Sequence, residues 1–280
     1  IISRINGFTY VETEMDYYTG IMFRGYIGGA GAAGKLPALL EKEAGGKILG
    51  HDLYLYIRQK ASVWGVDEEY ISSAALDDLE CAWGCTQGFL KGRDSASIPV
   101  LCVFDSEEVG SVSPQGAGSS LLEDTLGRIC DGLKLNRGRM LAQSFLVSAD
   151  NAHAVHPNHP EYADPGNAPV MGGGLVIKYN ANLSYCTDSV SAAVFRKICG
   201  RAGVKVQTYH NRADLPGGST LGRISLAHVS VPTVDIGLAQ LAMHSCYETA
   251  AVSDAIALED AMTVYFGSTL RRSEDSFILE

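Results

Sequence analysis

From residue 53 onward, short apolar runs of strand length alternate with longer segments of helical period, and this alternation restricts the chain to few folds. Residues 53–56, 98–104, 144–147, 175–179, 204–209 and 231–236 read as strands. Residues 76–90, 119–133, 188–202 and a long last segment, 248–266, read as helices. Within 76–90 the apolar Leu79, Ala82, Trp83 and Phe89 fall at helical spacing. Strands that alternate with helices of this length predict an α/β fold with a mostly parallel sheet. In such folds functional side chains gather at the carboxyl ends of strands. The residues after Phe104 and after Val147 occupy such ends.

Composition narrows the class. The 280 residues are 46% hydrophobic and 19% charged, an ordinary globular balance for one large domain or one domain with a small companion. A net charge of −10 argues against a nucleic-acid partner. No apolar run approaches the roughly 20 residues of a membrane span, so no membrane role is expected. The sequence opens on no secretory-leader pattern. Its 7 cysteines are odd in number, and none forms a C-x-x-C pair, which argues against finger-type zinc. Reduced thiols in a cytoplasmic protein fit this usage. The chain begins at Ile1 rather than Met, which is expected of a processed chain, a fragment, or one lacking its N-terminal part.

Residues 1–47 differ from the rest. β-formers fill 9–18, glycines crowd 25–34, and 36–43 reads as a short helix. Gly29-Ala-Gly31-Ala-Ala-Gly34-Lys35 satisfies G-x-G-x-x-G and nearly a P-loop, but Leu36 stands where Ser or Thr would hold magnesium. A loop is the better reading, and no nucleotide is expected.

The chemistry-bearing motifs lie later. Asp105-Ser106-Glu107-Glu108-Val109-Gly110-Ser111 follows the run 98–104 directly. Carboxylates so close repel, and one takes a proton unless a cation compensates. A divalent metal is the usual cation; one Glu then ligates it while its neighbour, across the chain, handles a proton. A solvated acidic loop is the other reading these residues allow. Leu76-Asp77-Asp78-Leu79 sets paired carboxylates at a helix start. One Asp suffices to cap the helix, which leaves the other for a metal-bridging role. Ser148-Ala-Asp150-Asn-Ala-His153-Ala-Val-His156-Pro-Asn-His159 is dense in ligand-type side chains for a plain polar loop. His244, in Ala242-Met243-His244-Ser245, reads by itself as structural as readily as a ligand. Gly217-Gly218-Ser219-Thr220-Leu221-Gly222 forms either an anion-binding turn of backbone N–H groups or a simple tight turn.

Taken together and in this order, these motifs, with Lys178-Tyr-Asn-Ala, resemble the M18-family metallo-aminopeptidases, the aspartyl aminopeptidases and their bacterial relatives. The resemblance runs from residue 48 to the end. It implies a three-layer α/β/α catalytic domain over 48–280 that lacks its N-terminal portion. Residues 1–47 would then be the tail of an inserted β-rich oligomerisation domain. It also implies a pair of zinc ions, exchangeable with cobalt or manganese. Asp77 would bridge them, through a cis Asp77–Asp78 peptide bond; Glu108 and His244 would hold one zinc and Asp150 the other. Glu107 would be the general base, and the α-amine of the substrate would bind a zinc. His153 and His156 would contact substrate or support ligands, Lys178 would meet an acidic substrate side chain, and Gly218, Ser219 and Thr220 would line the pocket. The substrates implied are peptides, acidic first residues among them, and the assembly a homo-oligomer, a dodecamer.

One family feature has no counterpart. The family's further histidine ligand sits in a Thr-Ala-His-x-Asp run, and none of His51, His153, His156, His159, His210, His228 or His244 has that context. The zinc held by Asp150 is therefore expected to lack one protein ligand in this sequence. That gap supports an alternative, a non-catalytic assembly or cargo protein that retains the fold.

Overall fold

A computed structural model of the chain describes residues 41, 42, 44–47, 49, 57–93, 95–215, 217–274 and 276–280. The strand expected at 53–56, His51, the glycine-rich stretch and nearly all of the 1–47 unit lie outside the described residues. In chain order the elements are β1 (Ser62–Trp64), β2 (Tyr70–Ser73), α1 (Leu76–Lys91), α2 (Leu121–Gly132), α3 (Arg137–Ala142), β3 (Leu146–Ala149) and β4 (Ala152–His153). Then come β5 (Leu175–Tyr179), α4 (Ser189–Ala202), β6 (Val206–His210), α5 (Leu221–Leu226), β7 (Thr233–Gly237), β8 (Ala239–Leu241), β9 (Glu248–Ala251), α6 (Val252–Gly267), β10 (Leu270–Ser273) and β11 (Ser276–Leu279). No helix among the described residues is long and apolar enough to cross a membrane.

A 4-stranded sheet, ordered β3-β7-β5-β6, forms the centre. β3 runs parallel to β7 and β5 parallel to β6, while β5 and β7 meet antiparallel. The α/β class holds, and the parallel character belongs to this sheet. A second, 5-stranded sheet, β1-β2-β9-β8-β4, is antiparallel except for β4 beside β8. Its strands are too short and too polar to stand out as apolar runs. One face of the central sheet buries Leu175, Ile177, Val234 and Ile236 against Phe195 and Ile198 of α4 and Leu258 and Met262 of α6. Leu146 points the other way, to Leu122 of α2 with Val229 and Val231. Helices therefore cover both faces, the arrangement that buried parallel strands require.

Local sequence explains several boundaries. Asp188 caps α4 by accepting the Ser191 N–H at 2.7 Å, while the Ser191 hydroxyl accepts the Asp188 N–H at 2.9 Å. α1 and α6 lie unusually close because α1 presents a stripe of glycines. A Cβ on Gly88 would sit 2.7 Å from the backbone carbon of Met262, and one on Gly84 2.8 Å from Leu258 Cδ2.

Two expectations need correction. Residues 98–104 have no regular secondary structure and belong to no sheet, and none of their backbone groups bonds to another backbone group among the described residues. An apolar run becomes a strand only where a second edge completes its ladder. The segment 248–266 is not one helix: Glu248–Ala251 pairs with β2 and β8, and α6 starts at Val252.

Candidate metal centre

Three backbone segments in unusual conformations deliver the candidate ligands. Ala75, at φ 55, precedes the start of α1, where the Asp77–Asp78 peptide bond is cis. Ser106, at φ 64, precedes the 3-10 turn Glu107–Val109. His244 itself sits at φ 66, in the loop after β8. Left-handed backbone at non-glycine residues costs on the order of 1–3 kcal/mol each and persists where the surroundings over-determine it. Of these three residues, His244 is a ligand candidate and Ala75 and Ser106 each lie two positions before one. The fourth delivery point is the end of β3, where Asp150 donates its N–H to the carbonyl of Ile236 on β7.

These segments converge in two donor groups that share Asp77: Asp77 with Glu108 and His244, and Asp77 with Asp78 and Asp150. In each the donor atoms all lie within 4.8 Å of one another. His244 Nε2 is 3.3 Å from Asp77 Oδ2 and 3.2 Å from Glu108 Oε2. Donors around a tetrahedral zinc, with bonds of 2.0–2.2 Å, stand roughly 3.3–3.6 Å apart. The imidazole thus stands at zinc-like spacing from both carboxylates. Asp77 Oδ1 is buried and has no hydrogen-bond partner. A buried carboxylate oxygen left unsatisfied in a well-packed site is what a missing cation would explain. Donor type, spacing and this orphaned oxygen all fit zinc.

The electrostatics carry the same signature. Burial and the Asp77 charge push Glu108 up to about 7. Burial raises Asp150 to about 7, against the pull of Lys178. Asp78 is driven well above the carboxylate range by burial and by the Asp150 charge. Glu107 is raised by burial and by Asp77. Asp77 alone is lowered, because its bond to His244 and its neighbours outweigh burial. His244 rises to about 9, chiefly through that bond. So many carboxyls raised around one ionised Asp is the mark of a cluster short of positive charge.

The remaining expected residues fall as follows. Glu107 stands in the same turn as Glu108, half-buried. Lys178 is buried on β5; its Nζ donates to the Asn151 carbonyl at 2.9 Å and lies 3.5 Å from Asp150 Oδ1. Its ammonium therefore faces Asp150 rather than open solvent. The polar residue in the apolar run Leu175–Tyr179 was its signal in the sequence. His153, on β4, is held below its ordinary value by desolvation and then by the charges of His244 and Lys178, which places it in electrostatic reach of the centre. His156 turns into its own loop, its Nδ1 accepting the Asn158 N–H at 3.2 Å. Gly218 and Ser219 are exposed, and Thr220 is buried, donating to Asp235 Oδ1 at 2.8 Å. Asp235 also accepts the Cys186 N–H, so it anchors the turn that leads into α5.

Sequence reasoning missed Asp78 as a member of the second group and passed over Glu248 and Asn151 altogether. Asp78 was visible as half of the acidic pair. Glu248 looked like the first residue of a helix, and Asn151 like filler beside Asp150.

Comparison with known proteins shows the family. The family model of the aminopeptidase I zinc metalloproteases (M18) matches residues 35–266. A probable M18 family aminopeptidase 2 of Clostridium novyi is 44% identical over 211 residues, which is 74% of this chain and 49% of that protein. Ape4, solved in complex with Nbr1, is 37% identical with a TM-score of 0.68, covering 75% of this chain and 42% of that one. The S. cerevisiae mApe1 dodecamer is 26% identical with a TM-score of 0.70, covering 83% of this chain and 54% of that one. The chain spans about half the length of the curated relatives it matches. With the motifs in order and their side chains brought together, this chain belongs to the M18 family of aminopeptidase I zinc metalloproteases.

Proposed function

We propose that this chain supplies the catalytic machinery of a zinc-dependent aminopeptidase that removes the N-terminal residue of peptides. The observation that carries the reading is Asp77: it is shared by two donor groups, stands 3.3 Å from His244 and has a buried oxygen with no partner. Asp77, Glu108 and His244 would hold one zinc, and Asp77 and Asp150, with Asp78 beside them, a second. When bound, the zinc pair supplies an acidified water, a polarised substrate carbonyl and a docking point for the free α-amine.

The protein's own groups do the rest. Glu107 stands next to a ligand without being one, and burial and the Asp77 charge raise its pKa, which favours its accepting a proton. It takes the proton from the attacking water and hands it to the leaving amine. Lys178 offsets the charge of Asp150 from beneath. His153, Gly218 and Ser219 would contact substrate, as would His156 from its loop, while Thr220, bonded to Asp235, would support that turn from within. A preference for acidic first residues rests on Lys178 alone, whose ammonium Asp150 already engages, so the proposal covers N-terminal residues in general.

The mApe1 dodecamer supports a homo-oligomeric assembly. All the cysteines are free thiols, which supports a reducing, cytoplasmic location.

The test is metal content and turnover on the purified protein. Wild type should carry a pair of zinc ions per chain and release N-terminal residues from peptides. Glu107→Gln should keep the metal and lose turnover by roughly 10²–10⁴-fold. Near-native turnover in Glu107→Gln would remove the base assignment. Tight zinc with no turnover on any peptide would favour a fold-retaining assembly protein instead.

A further inference from the structure

We infer that Glu248 is a positioning residue that sets the geometry of the Asp77–Glu108–His244 group, and that Asn151 does the same for the group containing Asp78 and Asp150. The inference rests on the zinc reading above and deepens it by assigning each donor group its own support.

Glu248 opens β9, where it pairs with Ser73 of β2, and only 2% of it is exposed. Its two oxygens do different jobs. Oε2 accepts the Asp77 N–H at 2.9 Å, and Oε1 accepts the His244 N–H at 2.7 Å. One carboxylate thus ties together the backbones of two ligands that come from distant parts of the chain. Neither ligand is held by regular structure of its own. Asp77, at φ −82 and ψ 111, is non-helical although it lies inside α1. His244 sits in a left-handed loop position. Glu248 belongs to neither donor group. Its role is to hold the peptide frames from which Asp77 and His244 reach inward.

Asn151 serves the other group and uses every polar atom it has. Its N–H donates to Asp78 Oδ1 at 2.8 Å, and its carbonyl accepts from Lys178 Nζ. Its amide nitrogen donates to the Leu76 carbonyl at 3.2 Å and to Gln240 Oε1 at 3.0 Å. Its side-chain oxygen accepts from Cys81 Sγ at 2.9 Å. Asn151 follows Asp150 directly, so it locks the end of β3 to the start of α1 and to Lys178. Metal affinity is sensitive to such supports: loss of a residue that orients ligands typically weakens binding 10–100-fold.

The experiment is chelator-competition zinc binding on the purified protein, with unfolding midpoint and turnover at limiting and saturating zinc. Glu248→Gln is nearly isosteric but turns an NH₂ toward one of the N–H groups. It should weaken the zinc equivalent held with His244 10–100-fold and, because Asp77 belongs to both groups, the other by a smaller factor. Turnover should recover as zinc saturates, because every ligand is still present. Combination with ligand deletions assigns the affected zinc. The Glu248→Gln effect should shrink in a His244→Ala background and persist in full in an Asp150→Ala background, and Asn151→Ala should show the reverse. Glu248→Asp, which keeps the charge, provides the reading if Glu248→Gln does not fold, and it should follow the same pattern. Zinc affinity in Glu248→Gln equal to wild type, or equal weakening of both equivalents by both variants, would overturn the inference. Failure of the wild type to take up zinc at all would instead remove the zinc reading itself.

Discussion

On the α1, α4 and α6 side of the central sheet, Leu175, Ile177, Phe195, Ile198 and Leu258 are all sealed from solvent. Beside β3, residues 98–104, α2 and α3, with Cys81 and Cys85 of α1 and Met262 and Phe266 of α6 on the inner wall, surround a cavity of about 590 Å³, and Ile98 and Val103 are 43% and 59% exposed. The cavity lies between 98–104 and β3, and its walls include Phe104, Leu126, Met140 and Leu146. β3 is the edge of the 4-stranded sheet, so it has no strand on that side among the described residues. Both regions contain residues that favour burial. Only one places them between complementary surfaces, and packing density rather than hydrophobicity separates them.

The sharpest way to break this comparison is to truncate one residue in each region and follow denaturant unfolding. Phe195→Ala should cost about 3–5 kcal/mol, as expected for a sealed aromatic. If it costs no more than a surface change, the close-packed side is not where the stability resides.

The next effect is a pH slope on α1. Glu80 is buried, and burial together with the Asp254 charge raises it to about 8. The folded protein therefore retains a proton that the unfolded chain releases above its ordinary value of 4.5. Stability then falls as pH rises from about 4.5 to about 8, with a slope of at most about 1.4 kcal/mol per pH unit from this group. Glu80→Gln should flatten that part of the stability profile relative to wild type. An unchanged slope would mean that Glu80 is ionised in the fold.

The smallest effects belong to the open side. Amide hydrogens of residues 98–104 should exchange with little protection, while those of Val234 and Ile236 should approach the global limit. Val103→Ala should change stability by less than about 0.5 kcal/mol. Strong protection at 98–104, or a core-sized loss on truncating Val103, would show that this segment is paired and would erase the contrast.

Legibility follows the same divide. Residues 175–179 appear in the sequence with their observed boundaries, because a strand buried on both faces is an uninterrupted apolar run. α1 and α4 are nearly as clear, through their periodicity and, for α4, its Asp188 cap. The antiparallel second sheet was not visible. Its strands pair with residues far along the chain, as Tyr70 does with Ala251, and no local pattern announces such a partner. At the site, Asp77, Glu107, Glu108, Asp150 and His244 were candidates through the ordered family motifs, and the fold brings Asp77, Glu108 and His244 together and Asp77 beside Asp150. Glu248 and Asn151 were not, since each acts by hydrogen-bonding backbone from other segments, and such a role has no signature at its own position.

Periodicity and short ordered motifs are enough for the α/β class, the family and the identity of the ligand candidates. Only the three-dimensional arrangement shows that Asp78 joins Asp77 and Asp150, that Lys178 is spent on Asp150, and that 98–104 is not a strand. Each of these depends on which distant segment stands opposite. A carboxylate's role and a strand's existence are properties of a pair, and a single position in the sequence specifies only one member.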